Sequence, residues 1–406
     1  MTILKVYIST NGCEEAQLSS AYVEQFFRKS NVAVTRDPAE ADLILFYACG
    51  LTEQSEKDSL MVIRSLKAKM KPSAKLLVWG CLSKINPQIL STIYEGPMIG
   101  PKDISFFEKL LENTTIRFED ISANTLIPRE TFEIYNSHND ALVNATFLFK
   151  KIVDKLHLLK QRISWAQTYY IRVATGCTGH CTYCSERCAL GKIRSRPLDK
   201  IISEFERGLQ KGYNLFFLVA TDLGAYGKDI GYTLLDVLSK MIENNYKRNY
   251  KIILDQINPY YVKEMLLDLK EIFASGKIQS LCSPVQSGSN RILKLMGRTY
   301  RAEEWRECML KICRDFPNIR LKTHFMVGFP TETDEDFKET LKLLDPPLFL
   351  DSIGVFKFSA RPTTYASWLP EQVSEKVKEL RYRKLLQKHT RMYVLNFTSR
   401  CIRGIF

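Results

Sequence analysis

Short apolar runs alternate with amphipathic stretches along most of the chain. In the first hundred residues, ILKVYIST (3–10), DLILFYAC (42–49) and KLLVWGC (75–81) have the length and the β-branched and aromatic content of strands. EEAQLSSAYVEQFFRKS follows the first, and a charged stretch to about Lys69 follows the second; both read as helices. Strands alternating with helices predict an α/β fold on a parallel sheet.

Residues 101 to about 165 break this rhythm. TTIRFEDISANTLIPRETFEIYNSHNDALVNATF is polar and rich in turn residues, which predicts a linker with little regular structure. LFKKIVDKLHLLKQRI (148–163) then spaces apolar residues as a helix does, with Lys and Arg between them, and reads as a docking helix. From 169 a second series begins with YYIRVAT, LFFLVAT, YKIILDQI, QSLCSPV, LKTHFMVG and SIGVFKFSA. Six strand–helix units predict a parallel partial (β/α)6 barrel with its site at the carboxyl ends of the strands. EQVSEKVKELRYRKLLQKHTRMY closes the series as a basic helical tail. The expected division is residues 1–100, a linker and docking helix over 101–165, a barrel over 166–370 and a tail over 371–406.

A chain of 406 residues with 45% hydrophobic and 25% charged positions is an ordinary folded protein of about two domains. The start, MTILKVYIST, lacks the basic and apolar regions of a secretory signal, and the apolar runs are too short for a bilayer span. The expectation is therefore a cytoplasmic protein with no membrane partner. A net charge of +13 suits an anionic partner, RNA first, although the Lys and Arg are spread along the chain.

Eleven cysteines do not form a secreted disulfide framework; in a reducing compartment they stay free, bind metal or react. Cys13, Cys49 and Cys81 each fall at or just beyond the C-terminal end of an N-terminal strand. Ligands of open parallel sheets bind at that edge. This recurrence points to a shared site, against the alternative of three small buried hydrophobes. In ATGCTGHCTYCSERC, Cys177, Cys181 and Cys184 form C-x3-C-x2-C after the first barrel strand. Three thiolates on a [4Fe–4S] cluster leave one iron open to another ligand, whereas a zinc loop would recruit Cys188 as a fourth thiolate.

The C-x3-C-x2-C motif, with Tyr183 before its last cysteine, resembles the radical S-adenosylmethionine (AdoMet) superfamily. The whole chain resembles the methylthiotransferase family within it, over roughly residues 3–390. STNGCEEAQLSS, YACGLTEQSEK, VWGCLSK, GCTGHCTYC, SPVQSGSNRILKLMGRTY, THFMVGFPTETDEDF and FKFSARPTTYA carry the likeness, in order. The resemblance implies two [4Fe–4S] clusters: one on Cys177, Cys181 and Cys184 that cleaves AdoMet, and an auxiliary one on Cys13, Cys49 and Cys81 that carries the sulfur. It implies insertion of a methylthio group at an unactivated C–H. The competing reading is an auxiliary cluster that delivers bare sulfur or only electrons. It also implies AdoMet contacts from Tyr183, Thr221, Asp222, Gln286 and Gly328, and an external reductant of the flavodoxin or ferredoxin type. The bland roles are a helix cap for Asp222 and a turn for Gly328.

The likeness has gaps. Ala16 interrupts the family's Asn pattern after Cys13. Arg187, Cys188, Ala189, Leu190 and Gly191 replace the common P-x-x-R-G, and Cys282 stands where a His is common. The RNA- and protein-modifying members continue into a small β-barrel, TRAM, about where this chain stops. The expectation is a chain without that module, acting on a tRNA, peptide or small-molecule substrate.

Overall fold

The computed structural model describes residues 4–111, 114–130, 168–243 and 249–402, with side chains to residue 395. The docking helix expected over 148–163 lies outside them. The chain forms two compact units. One comprises Met1–Tyr135, Tyr183–Lys192 and Ser359–Ser367; the other comprises Asn136–Thr182, Ile193–Phe358 and Trp368–Phe406.

The first unit is built on β1 (Lys5–Thr10), β2 (Ala33–Thr35), β3 (Leu43–Tyr47), β4 (Lys75–Trp79) and β5 (Met98–Ile99). All are parallel, in the order β2-β1-β3-β4-β5. Every residue of LILFY in β3 is buried, as expected for a central parallel strand covered on both faces. Ile44, Phe46 and Val78 pack with Val62, Ile63 and Leu66 of the helix Glu53–Lys69. Each such side chain stabilises by roughly 1.5–3 kcal/mol on full burial. Thr52 and Ser55 start that helix with a reciprocal capping box. Within the expected linker, Ser105–Lys109 is a short helix and Phe118 stacks on Phe26 at 4.4 Å.

The second unit carries β6 (Thr168–Arg172), β9 (Leu215–Val219), β10 (Lys251–Leu254), β11 (Ile278–Cys282), β12 (Arg320–Val327) and β13 (Ser352–Lys357) in one six-stranded parallel sheet. A small antiparallel pair, β7 (Ala174–Thr175) and β8 (Arg194–Ser195), follows β6. The strands are sequential neighbours, the arrangement of a partial (β/α) barrel, as the spacing predicts. In β12, Leu321, Thr323, Phe325 and Val327 are buried while Lys322, His324 and Met326 are half-buried. One face of β12 is therefore buried and the other half-buried. Helix Leu198–Gln210 shows the packing: its buried Phe205 meets Phe216 of β9 edge-on at 4.6 Å. The tail expected to be helical is the helix Glu375–Ile402, which packs on β12 and β13.

Candidate metal and cofactor sites

The upstream cysteines follow three strands that are adjacent in space though not all in sequence. Thr10 pairs with Tyr47, and Tyr47 with Trp79, so β1, β3 and β4 end level. Cys13, Cys49 and Cys81 leave the sheet two or three residues later on one edge. Cys13 and Cys81 each stand at the start of a helix, Glu14–Lys29 and Leu82–Ile85. Gly80 makes the last turn work: its φ is +106°, and a Cβ there would lie 2.6 Å from Tyr47 Cδ1. Tyr47 Oη is 3.2 Å from Cys81 Sγ.

The three thiols share one electrostatic environment. Burial pushes the Cys13, Cys49 and Cys81 thiols up, and negative charge on Cys49 would add to the push on both Cys13 and Cys81. Glu186, on the short helix Glu186–Leu190, raises all three further. Its own carboxyl is pushed up to about 7 by burial and then by Glu15. Bare, this group is poorly suited to ionise; a cationic centre is what lets three close thiols become thiolates together. Among the described residues no three such side chains converge on a single ion. An iron–sulfur cluster takes each thiolate on a different iron. The donor set fits such a cluster.

In the second unit, Cys177 follows β7 after a glycine turn, and Gly179 N donates to its Sγ at 3.1 Å. A Cβ on Gly179 would lie 3.3 Å from Cys177 Sγ and 3.7 Å from Cys181 Sγ, so both thiols flank a residue without a side chain. The loop is pinned by Thr182 N to Met296 O (3.0 Å), Thr182 Oγ1 to Leu295 O (2.8 Å), and the Thr178–Tyr261 hydroxyl pair (3.1 Å). Tyr183 and Cys184 are half-buried in the turn that follows.

The other sequence candidates all lie beyond carboxyl ends of sheet strands. Asp222, just after β9, is buried with Oδ2 3.9 Å from Cys177 Sγ. It stands at the N-cap of the turn Leu223–Ala225, where the Gly224 backbone N–H helps to hold its carboxyl down. Burial pushes its carboxyl up to about 6, against Asn258 N and the Arg298 charge. Thr221 Oγ1 beside it is buried without a hydrogen-bond partner. Gln286 is a buried non-glycine residue at φ +70°, bonded through its backbone to His324 O and Met326 N, both at 2.8 Å. Gly328 has φ +71° and donates to Glu332 Oε2 at 2.6 Å; a side chain there would strike Lys378 of the C-terminal helix. The structure thus brings Asp222 to Cys177 and sets Gln286 and Gly328 on neighbouring strand ends.

Cys282 is buried at the end of β11, 3.8 Å from His324 Nε2 of β12. Cys188 is exposed, with a weak bond to Thr363 O at 3.6 Å. Sequence reasoning passed over Glu186, Asn11 and Tyr261. Their only signal was polarity next to a cysteine or strand end, which many surface residues share.

A profile of the radical SAM superfamily matches residues 171–344, and one of an uncharacterized protein family, UPF0004, matches residues 5–98. The chain is 31% identical to the ribosomal protein uS12 methylthiotransferase RimO of Clostridium botulinum, covering 95% of this chain and 82% of that one. It is 28% identical to a probable threonylcarbamoyladenosine tRNA methylthiotransferase of Pyrococcus abyssi, covering 95% and 84%. The fold is similar to the radical AdoMet methyltransferase TsrM of Kitasatospora setae, with TM-score 0.59 at 13% identity over 90% of this chain and 77% of that one. Among the described residues no helix is long and apolar enough to cross a membrane. With both halves matched in order and the relatives aligned along nearly its whole length, the chain belongs to the radical AdoMet methylthiotransferases, enzymes that use AdoMet and a [4Fe–4S] cluster.

Proposed function

We propose that this enzyme inserts a methylthio group at an unactivated C–H using two [4Fe–4S] clusters. Cys177, Cys181 and Cys184 would hold the AdoMet cluster, and Cys13, Cys49 and Cys81 the auxiliary one. The observation that carries this is the level ending of β1, β3 and β4, which gathers the three upstream cysteines at one edge. When bound, the AdoMet cluster supplies one-electron cleavage of AdoMet and hydrogen abstraction from carbon, chemistry no side chain provides.

The chain's own residues bind and orient. Asp222 would take the methionyl ammonium of AdoMet, which gives its buried carboxylate the positive partner that burial demands. Thr221 Oγ1, buried and unpartnered, has a free donor for the same ligand. Gln286 and Gly328 would complete the cradle, with Tyr183 shielding the cysteine loop. The relatives named for tRNA and for ribosomal protein uS12 leave two substrate classes. The net charge of +13 favours RNA. A one-electron donor of the flavodoxin or ferredoxin type would feed the AdoMet site.

Iron and sulfide analysis with Mössbauer spectroscopy tests this on anaerobically reconstituted protein, wild type beside the Cys13/Cys49/Cys81 triple alanine variant. About eight irons falling to about four supports two clusters. Four in both sinks the auxiliary assignment.

A further inference from the structure

The loop after β12, VGFPTETD (327–334), is held in a conformation that its sequence does not favour. Gly328 has φ +71°, which glycine adopts freely, but Thr331 has φ +68°, where a β-branched side chain is strained. Strain of this kind persists only where the surroundings over-determine the backbone. Here they do. Arg291 donates to Thr331 O at 2.6 Å and to Thr331 Oγ1 at 3.1 Å, and Thr331 N donates to Glu371 O at 3.0 Å.

Glu332 holds the same loop from inside. Its buried carboxylate accepts through Oε2 from Gly328 N–H at 2.6 Å and from Arg381 Nη1 at 2.8 Å. Arg381, also buried, donates to Glu332 O at 3.0 Å and to the exposed Asp334 carboxylate at 2.9 Å. Arg381 belongs to the helix Glu375–Ile402, so one carboxylate ties the glycine turn to the C-terminal helix. Lys378, one turn earlier on that helix, occupies the space beside Gly328 that a side chain would need.

Stability does not account for this pair. Burial pushes the Glu332 carboxyl up to about 7, against the pull of Gly328 N–H and Arg381. Among the described residues, Glu332 Oε1 and Arg381 Nε are buried with no hydrogen-bond partner. A buried ion pair with unmet groups returns little net stability, and apolar residues of the same volume often serve as well. What the pair supplies is direction: a charge-assisted hydrogen bond fixes the orientation of the Gly328 peptide, which an apolar contact does not.

We propose that Glu332 positions the loop after β12 for AdoMet, with Arg381 of the C-terminal helix holding Glu332 in place. This rests on the reading of Gly328 as part of the AdoMet cradle. Glu332 is a positioning residue: it acts through the Gly328 backbone and forms and breaks no covalent bond.

The test uses the full chain with both clusters reconstituted, without reductant. Binding of labelled AdoMet is measured by equilibrium dialysis, and hydrogen–deuterium exchange of segment 327–333 is followed with and without AdoMet. Glu332→Ala should weaken AdoMet about tenfold or more and speed exchange in this segment, with iron content unchanged. Glu332→Gln keeps an acceptor for Gly328 N–H and should recover most of the affinity. Asp334→Asn disturbs only the exposed contact of Arg381, so AdoMet should bind as in wild type. Wild-type affinity in E332A, with only a lower melting temperature, makes the pair structural and overturns the proposal, as does equal weakening in E332A and D334N. Should E332A fail to fold, Arg381→Lys replaces it: faster exchange with weaker AdoMet supports the proposal, and faster exchange at unchanged affinity overturns it. Wild-type protein that binds AdoMet with no change in exchange over 327–333 defeats the reading of Gly328 as a contact, and the proposal with it.

Discussion

The side-chain oxygen of Asn11 accepts a hydrogen bond from the backbone N–H of Cys49 at 3.0 Å, tying the loop after β1 to the loop after β3. The same amide donates to Ser59 Oγ at 2.9 Å and Ser55 O at 3.2 Å on the helix Glu53–Lys69. Ser59 Oγ in turn donates to Cys49 O at 2.7 Å. Asn11→Ala strands the Cys49 N–H, at a cost of about 1–3 kcal/mol, and loosens the loop that presents the thiol. The expected outcome is a lower melting temperature with iron lost from the auxiliary site while AdoMet cleavage persists. Iron analysis beside a cleavage assay checks it; full iron content would show that Asn11 does not set the loop.

Replacing Cys177, Cys181 and Cys184 by Ala should remove about half of the iron and all AdoMet cleavage. The Cys13/Cys49/Cys81 variant should still cleave AdoMet but transfer no sulfur. Quantifying 5′-deoxyadenosine in each separates the two sites. Cleavage in the first variant would contradict the assignment.

Asp222→Asn keeps the size of the side chain and an acceptor for Asn258 N, which lies 3.4 Å from Asp222 Oδ1. It removes the negative charge offered to a cationic amine. AdoMet should bind about tenfold or more weakly at unchanged iron content, since a charge-assisted hydrogen bond contributes about 1.5–3 kcal/mol. Equilibrium dialysis with labelled AdoMet reads this directly, and unchanged affinity would move the ammonium site elsewhere.

Asp336 joins the loops that follow β11 and β12. Ser289 Oγ donates to its Oδ1 at 2.5 Å, Thr333 Oγ1 to its Oδ2 at 2.9 Å, and Arg291 pairs with it. Burial opposes its charge, but Arg291, Ser289 and Thr333 outweigh that and hold the carboxyl well below its usual range. A depressed acid stabilises above its unfolded pKa, and that stability is lost as pH falls below about 4 toward the folded value. Asp336→Asn should flatten the acid limb of a melting-temperature profile and lower the plateau at neutral pH. A parallel acid limb in the variant would place the linkage in another group.

Much of the architecture was legible because it rests on local pattern. The strands ILKVYIST, LILFY within DLILFYAC, and the six barrel runs are short apolar stretches bounded by turns, and the structure has strands at each. The C-x3-C-x2-C spacing was legible for the same reason: a loop of eight residues holds its three thiols near one another. Other features were not legible. Asp222 looked like a helix cap and does stand at the N-cap of a turn, but its closeness to Cys177 is visible only in the structure. The polar stretch after residue 101 looked like a linker, yet Arg129 and Glu130 pair with Thr10 at the end of β1, because an uncovered strand edge accepts any backbone with free hydrogen-bonding groups.

By itself the sequence determined two parallel α/β halves, the family, and which cysteines stand at strand ends. Apolar periodicity and turn chemistry act over a few residues and survive in the one-dimensional record. Strand order does not: that β1, β3 and β4 are neighbours with level ends is set by how the helices cover the sheet. Only this long-range pairing turned three distant cysteines into one group. It also brought Glu186 and Arg129, from segments with no pattern of their own, into the same electrostatic field. Charge acts through space, so much of the field around the thiols comes from residues far away in sequence.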